Sequence, residues 1–248
     1  MSKKRILLFV CCAVFFLGNT IGFAQNKTEI KLIQPPYLKA GDTVAIVAPS
    51  GVLKNRFDEV NRAKQLLESW NLHVVIGKHV FNQANHFAGT DEERCEDFQL
   101  ALDDPKIKAI WSARGGYGTV RILDSLDYTK FLKQPKWVIG YSDITALHNQ
   151  IHNLGVQSLH AIMGVSLPEN LEDIADSIAT FKNTLFGQPL RYALKGSKYN
   201  KPGDANGVLV GGNLTILHTM LGSKESIDTD GKIFFIEEIG EYKYHIDR

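Results

Sequence analysis

Between Ile110 and Leu154 the sequence stages one event twice, and that repetition narrows the folds open to the chain. A short apolar run ends in a glycine-rich turn, and a helical pattern follows. In the first copy Ile110-Trp111 leads into Arg114-Gly115-Gly116-Tyr117-Gly118; in the second Trp137-Val138-Ile139 leads into Gly140-Tyr141-Ser142-Asp143. Short, wholly apolar runs are strands covered on both faces, and such strands belong to parallel sheets with helices above and below. Thr43 to Ala48, Leu72 to Ile76, Ile107 to Trp111 and Val156 to Met163 extend the series to five strands.

Helical patterns fill the gaps. Phe57, Val60, Ala63, Leu66, Leu67 and Trp70 share one face. Thr90-Asp91-Glu92-Glu93 is a capping box ahead of Cys95, Phe98, Ala101 and Leu102. A helix through Val120, Ile122 and Leu123 follows the first glycine turn. Ile144, Leu147, Ile151 and Leu154 mark another, which Gly155 closes in a left-handed cap. This rhythm implies an α/β fold with a parallel-sheet domain over 41–167. Ligands in such sheets bind beyond the carboxyl ends of the strands, where Ser50, Arg114 and Ser142 are expected. A connecting helix (Ile174, Ile178, Phe181, Leu185) closed by Gly187, an alternating strand (Leu190, Tyr192, Leu194) and a polar crossing occupy 168–206. Strand Val208–Val210, turn Gly211-Gly212-Asn213, a helix through Leu214, Leu217 and Leu221, and strand Lys232–Ile236 form a smaller, partial domain over 207–248.

The first residues are different. Lys3, Lys4 and Arg5 precede the apolar run Ile6 to Leu17, and Gly22-Phe23-Ala24 offers a cleavage triplet. Residues 1–24 therefore read as a secretory signal peptide, and export to the periplasm or the exterior is expected. Gly18-Asn19-Thr20 interrupts the run before the roughly 18 apolar residues of a membrane span accumulate. Lipidation at Cys11 or Cys12 is an alternative, against which stands the bulky Val10 before the first cysteine. Residues 25–40 are a polar, proline-punctuated lead-in. Without Lys3, Lys4 and Arg5, the 28 Lys+Arg fall to 25 against 27 Asp+Glu. No basic surplus argues for nucleic acid. Cys95 alone survives cleavage, so the mature chain has no internal disulfide and depends on a packed core.

Several residues have a chemical and a structural reading. Ser142 sits where a strand hands over to a helix, with unpaired amides nearby, which suits an acyl-transfer nucleophile; a serine there also serves as a helix N-cap. Gly140-x-Ser142 is half of a nucleophile elbow, with Ile144 where the second glycine would stand. The Arg114–Gly118 turn can bring amides to an oxyanion or simply turn the chain; its spacing is neither a dinucleotide fingerprint nor a P-loop. Arg114 can hold a carboxylate or brace its loop. Glu237 can orient a histidine or be a solvated strand end, and Glu238 and Glu241 compete with it. His148 and His152 lie four apart on a helix without a third metal-ligand pattern, and His148 is expected to pack or bond locally.

Taken together, GDTVAIVAPSG at 41–51, ARGGYGTVRILDSLD at 113–127, PKWVIGYSDITALH at 135–148, GVLVGGNLTILHTMLGS at 207–223 and GKIFFIEEIGEYKYHIDR at 231–248 resemble the LD-carboxypeptidase family of serine peptidases, which includes microcin-immunity hydrolases. The resemblance implies a Rossmann-like N-terminal lobe carrying the nucleophile and a smaller C-terminal lobe carrying a glutamate and a histidine. It maps the nucleophile onto Ser142, the glutamate onto Glu237, and the oxyanion hole onto Asp143 and the Gly115-Gly116 turn. It implies hydrolysis of the L,D-peptide bond before a terminal D-amino acid in peptidoglycan tetrapeptides, a small peptide or muropeptide as partner, a homodimer, and neither metal nor organic cofactor. An amide hydrolase acting on a peptidyl-nucleotide, or a non-catalytic wall-peptide binder, is the alternative. The family's histidine falls beyond Arg248, so the sequence is expected to be C-terminally truncated, and inactive by itself. His148, His160 and His245 do not match that histidine's position, and His160-Ala161-Ile162-Met163-Gly164 stands where the family commonly has His-Gly-Pro.

Export gives the first prediction. Protein recovered from its native cell should begin near Gln25 by N-terminal sequencing; an intact Met1 or Ser2 on a soluble cytoplasmic species would refute it.

Overall fold

The computed structural model describes residues 32–247. The signal peptide expected over 1–24, the lipidation alternative and the start of the lead-in lie outside the described residues.

Five parallel strands form the main sheet: β1 (Thr43–Val47), β2 (His73–Ile76), β3 (Ile107–Ser112), β4 (Trp137–Gly140) and β5 (Leu159–His160), in the order β2-β1-β3-β4-β5. Helices α1 (Phe57–Glu68), α2 (Asp91–Asp103), α3 (Thr129–Lys133), α4 (Thr145–Asn153) and α5 (Ala175–Leu185) cover it. Side chains alternate between the faces of a strand, so β1 divides itself between two cores. Val44 and Ile46 join Trp111, Trp137 and the buried faces of α1 and α5. Ala45 and Val47 join Ile110, Val138 and residues of α2, α3 and α4. Trp111 is fully buried, and its indole N–H donates to the Ile162 carbonyl over 2.7 Å, leaving no unpaired polar atom on that ring.

A second sheet pairs β6 (Leu209–Asn213) with β7 (Ile233–Glu237), again in parallel, and α6 (Leu214–Thr219) follows β6 directly. A short helix, α7 (Lys243–Asp247), comes last among the described residues.

The capping box at Thr90 forms in full: the Thr90 hydroxyl accepts from the Glu93 amide at 3.2 Å, and Glu93 accepts from the Thr90 amide at 2.9 Å. Gly155 and Gly187 close their helices with φ of 81° and 85°. Four expectations need correction. The segment through Val120, Ile122 and Leu123 is two 3₁₀ turns, Thr119–Arg121 and Leu123–Ser125, tightened by bonds from residue i+3 to residue i such as Arg121 N–H to Gly118 O. The fifth strand is confined to Leu159–His160, because the only β4 residues opposite it are Ile139 and Gly140; Val156 makes a lone bridge to Ile33. Leu190, Tyr192 and Leu194 alternate, yet they have no strand partner and all three are exposed. Gly211-Gly212-Asn213 continues β6 because Phe235, Ile236 and Glu237 lie opposite in register.

One buried cation holds the carboxyl end of the sheet. Arg94 of α2 is 1% exposed. Its Nη1 donates to the carbonyls of Pro49 and Gly118, its Nη2 pairs with Asp91, and its guanidinium lies 4.8 Å from the Phe87 ring centre. Arg121 grips the same Asp91 through Nε and Nη2, and hydrogen bonding to Arg121 keeps the Asp91 carboxyl below its usual range. Removing the buried arginine leaves the Pro49 and Gly118 carbonyls without this donor, and breaking a buried charged network of this kind costs about 3–5 kcal/mol. Arg94→Met should therefore lower the unfolding free energy in urea by about 3 kcal/mol. A loss below about 1 kcal/mol would mean that water re-satisfies the two carbonyls.

Candidate active site

The strand order reverses between β1 and β3, and open parallel sheets bind ligands in the crevice above such a reversal. The loops leaving the two strands are tied across it. Gly51 N–H donates to Gly115 O over 3.1 Å, and the hydroxyls of Ser50 and Thr119 meet at 2.7 Å in full burial.

Ser142 leaves β4 beside this crevice with φ of 60°. A non-glycine residue in that left-handed region costs on the order of 1–3 kcal/mol and persists only where the surroundings impose it. Ser142 opens a 3₁₀ turn that runs to Ile144 and into α4, and its side chain caps neither element. The helix-cap reading of this serine is therefore not what the structure shows. Gly115 lies against it: a Cβ on Gly115 would come within 3.2 Å of Ser142 Cβ and 3.4 Å of its Oγ. Glycine at 115 is what lets the backbone approach the hydroxyl so closely. Among the described residues, the amides of Gly115 and Gly116 donate to no backbone carbonyl. Asp143 is fully buried, and its Oδ2 accepts from the Thr119 amide at 2.8 Å, so it ties the serine turn to the segment after Gly118.

Arg114 makes no ion pair among the described residues. Its Nη1 donates to the Val52 carbonyl, and the side chain faces an open cavity. Burial, then the nearby charge of Arg56, lower the pKa of its guanidinium.

The second sheet reaches the serine turn through one bond. Asn213 N–H donates to Thr145 Oγ1 over 2.9 Å, and Gly212 has no Cβ to collide with that side chain. Glu237 stands opposite Asn213 in the β6–β7 register, and its Oε1 is buried with no partner among the described residues. Glu238 is fully engaged: it accepts from the Thr215 amide and hydroxyl at 2.9 and 2.6 Å and from Asn213 Nδ2 at 3.1 Å. Partial burial raises the Glu238 pKa, but the Thr215 hydroxyl and the amides of Ile239 and Thr215 outweigh that and hold it below its usual range. Of the two adjacent acids, Glu238 fastens the start of α6 and Glu237 is left unspent.

His148, His160 and His245 each have other contacts. His148 is buried, with Nε2 donating to Gly140 O at 2.9 Å and Nδ1 accepting from the Ser158 hydroxyl at 2.8 Å. His160 meets Phe235 edge-on with ring centres 5.2 Å apart, and His245 pairs with Glu241. None of the described histidines hydrogen-bonds to Ser142 or Glu237. No group of three metal-ligating side chains is gathered among the described residues.

Sequence reasoning passed over Arg94, Thr145 and Asn213. Arg94 had a legible signal, since it lies four and seven residues before Phe98 and Ala101 on the apolar face of α2. Asn213, just ahead of a helical pattern, had the mark of an N-cap, and its Oδ1 accepts from the Ile216 amide at 3.1 Å. Thr145 had none.

Residues 44–161 match the LD-carboxypeptidase N-terminal domain, and residues 206–248 match the LD-carboxypeptidase C-terminal domain. The chain is 39% identical over 219 residues to the probable murein peptide carboxypeptidase of Bacillus subtilis (strain 168), covering 87% of this chain and 68% of that protein. The muramoyltetrapeptide carboxypeptidase of Oxalobacter formigenes superposes with a TM-score of 0.73 at 32% identity, over 83% of this chain and 69% of that one. An MccF-like protein from Bacillus anthracis str. Ames superposes with the same TM-score, 0.73, at 28% identity, over 83% of this chain and 70% of that one.

The burial of His148 has a consequence for acid stability. Desolvation, with a smaller push from the charge of His160, lowers its pKa from 6.5 to about 4, against the opposing bond to Gly140. The folded state thus binds fewer protons than the unfolded state between those values, so stability is retained above pH 6.5 and lost as pH falls toward 4. The full effect is roughly 3 kcal/mol. Melting temperature should fall between pH 7 and pH 4.5, and the fall should shrink in His148→Gln. Equal falls in both proteins would assign the acid sensitivity to other groups.

Proposed function

The chain belongs to the LD-carboxypeptidase family, and from that premise we propose that it is a serine-type hydrolase that cuts the L,D-peptide bond before the terminal D-amino acid of peptidoglycan tetrapeptides. The observation that carries the serine reading is Ser142 in a left-handed backbone conformation against the Gly115 turn, next to unspent amides.

In this reading Ser142 Oγ attacks the carbonyl carbon of the scissile bond. The carbonyl oxygen, now negative, is held by amide N–H groups of Gly115, Gly116 and Asp143. A base takes the serine proton and returns it to the leaving amine as the tetrahedral intermediate collapses to an acyl-enzyme. Water, activated by the same base, releases the shortened peptide and frees Ser142. Glu237, with its unspent Oε1, orients that base. None of the described histidines hydrogen-bonds to Ser142 or Glu237, and in this reading the base is the histidine that the family resemblance implies. Arg114 receives the free carboxylate of the terminal residue, one position before the oxyanion turn. Export after cleavage near Ala24 would place the protein where wall peptides are.

A second reading is hydrolysis of another small amide on the same scaffold, favoured by the likeness to the MccF-like protein. The two readings share Ser142 and differ in what leaves.

The test is release of D-alanine from an L,D-tetrapeptide by the full-length protein. Ser142→Ala should lower kcat by about 10⁴-fold or more with KM nearly unchanged. Glu237→Gln should also impair turnover, while Glu238→Gln should act mainly on melting temperature. Near wild-type turnover by Ser142→Ala would end the nucleophile assignment.

A further inference from the structure

A cavity of about 440 Å³ lies beside the turn that Arg114 opens. Lys54, Arg56, Gln83, Asn85, His86 and Arg114 line it, and no carboxylate is among its lining residues. Arg56 and Lys54 form no ion pair among the described residues. A wall with three full positive charges and no acidic partner is an anion site.

The cavity is built in advance. The Val52 amide donates to the His86 carbonyl at 2.9 Å, the Ala88 amide to the Ser50 carbonyl at 3.0 Å, and Arg114 Nη1 to the Val52 carbonyl. The first two bonds fasten the loop after β1 to the loop before α2, and the third ties the turn after β3 to the same loop. Two of the lining residues, Lys54 and Asn85, have φ of 47° and 57°. Asparagine tolerates that conformation; lysine does so at a cost that the surrounding bonds must offset. The cavity also borders the chemistry. Arg114 is one residue from Gly115, which touches Ser142, and Arg114 Nε lies 3.5 Å from where a Cβ on Gly51 would stand.

We infer that this cavity is the subsite for the amino acid that leaves, and that it takes a terminal D-residue with an acidic side chain in preference to a basic one. The inference rests on the peptidase reading above and goes beyond it. Arg114, nearest the oxyanion turn, takes the α-carboxylate common to every such substrate. Arg56 and Lys54, farther out, meet the side chain. A methyl group would leave most of the cavity to solvent, whereas a side chain ending in a carboxylate reaches the two outer cations. Two like charges face each other across Arg114 and Arg56, and an anion between them relieves that repulsion.

The experiment compares three tetrapeptides that end in D-alanine, D-glutamate and D-lysine, with full-length protein and with Arg56→Gln. Arg56 is exposed, and among the described residues its hydrogen bonds run through its backbone, so the variant should fold. The D-glutamate peptide should have the highest kcat/KM and the D-lysine peptide the lowest. Arg56→Gln should raise KM for the D-glutamate peptide about tenfold, with little change for D-alanine. Calorimetric titration with free D-glutamate separates the two readings. Arg56-dependent binding without hydrolysis of any peptide would keep the subsite and end the peptidase reading. Hydrolysis with the same ranking and the same KM values in Arg56→Gln would overturn the subsite.

Discussion

The amide of Gly51 donates to the carbonyl of Gly115 across the point where the sheet reverses its order, and much of the site depends on that closure. A Cβ at position 51 would lie 2.9 Å from the Gly115 oxygen, so the two loops can meet only backbone to backbone. Once they meet, Gly115 is set against Ser142, and the adjacent Arg114 is directed into its cavity. Three further contacts hold the closure: the Ser50–Thr119 hydroxyl pair, the Asp143 carboxylate on the Thr119 amide, and Arg94 bridging Pro49 and Gly118. All three are buried, where a polar group without its partner is costly, so the loops have little freedom to part. The strain at Ser142 is small beside the energy of that network, which is why a serine can be kept in a left-handed conformation at all.

The main sheet was legible because its strands carry their signal locally. Thr43 to Val47 and Trp137 to Ile139 are apolar on both faces, and only a sheet covered on both sides accepts them. The capping box at Thr90 and the glycine caps at 155 and 187 were likewise local, and each formed as the residues imply. Expectations failed where a segment's fate was set by a partner far along the chain. Leu190, Tyr192 and Leu194 alternate as a strand does, yet among the described residues they pair with no strand and stay exposed. Gly211 and Gly212 read as a turn, yet β7 draws them into a ladder. The site follows the same division. Ser142 and the Gly115 turn were visible as local motifs, whereas the Thr145–Asn213 bond joins residues 68 positions apart and leaves no mark in either stretch.

The second sheet shows how little sequence separates different jobs. Glu237 and Glu238 are adjacent at the end of β7, so their side chains leave on opposite sides of the strand. One side meets the open first turn of α6, where Glu238 accepts from the Thr215 amide. The other side leaves Glu237 next to Asn213, the residue whose amide is bonded to α4 just beyond Ser142. The pleat of the strand, and not any difference between two identical side chains, assigns one acid to stability and frees the other.

Burial makes the corresponding choice among the histidines. A general base must be neutral at the working pH and have a ring nitrogen free to accept a proton. His148 meets the first condition firmly, with its pKa lowered to about 4, but a bond to Ser158 fills the acceptor nitrogen and a bond to Gly140 holds the other. Its role is to fasten α4 to the end of β4, directly beneath the serine turn. A histidine so useful to the frame is unusable for the chemistry, since taking the serine proton would break the bonds that place the serine. In the proposed reaction the base is therefore a different histidine, and Glu237, held on the second sheet with an oxygen that has no partner among the described residues, is the acid that orients it.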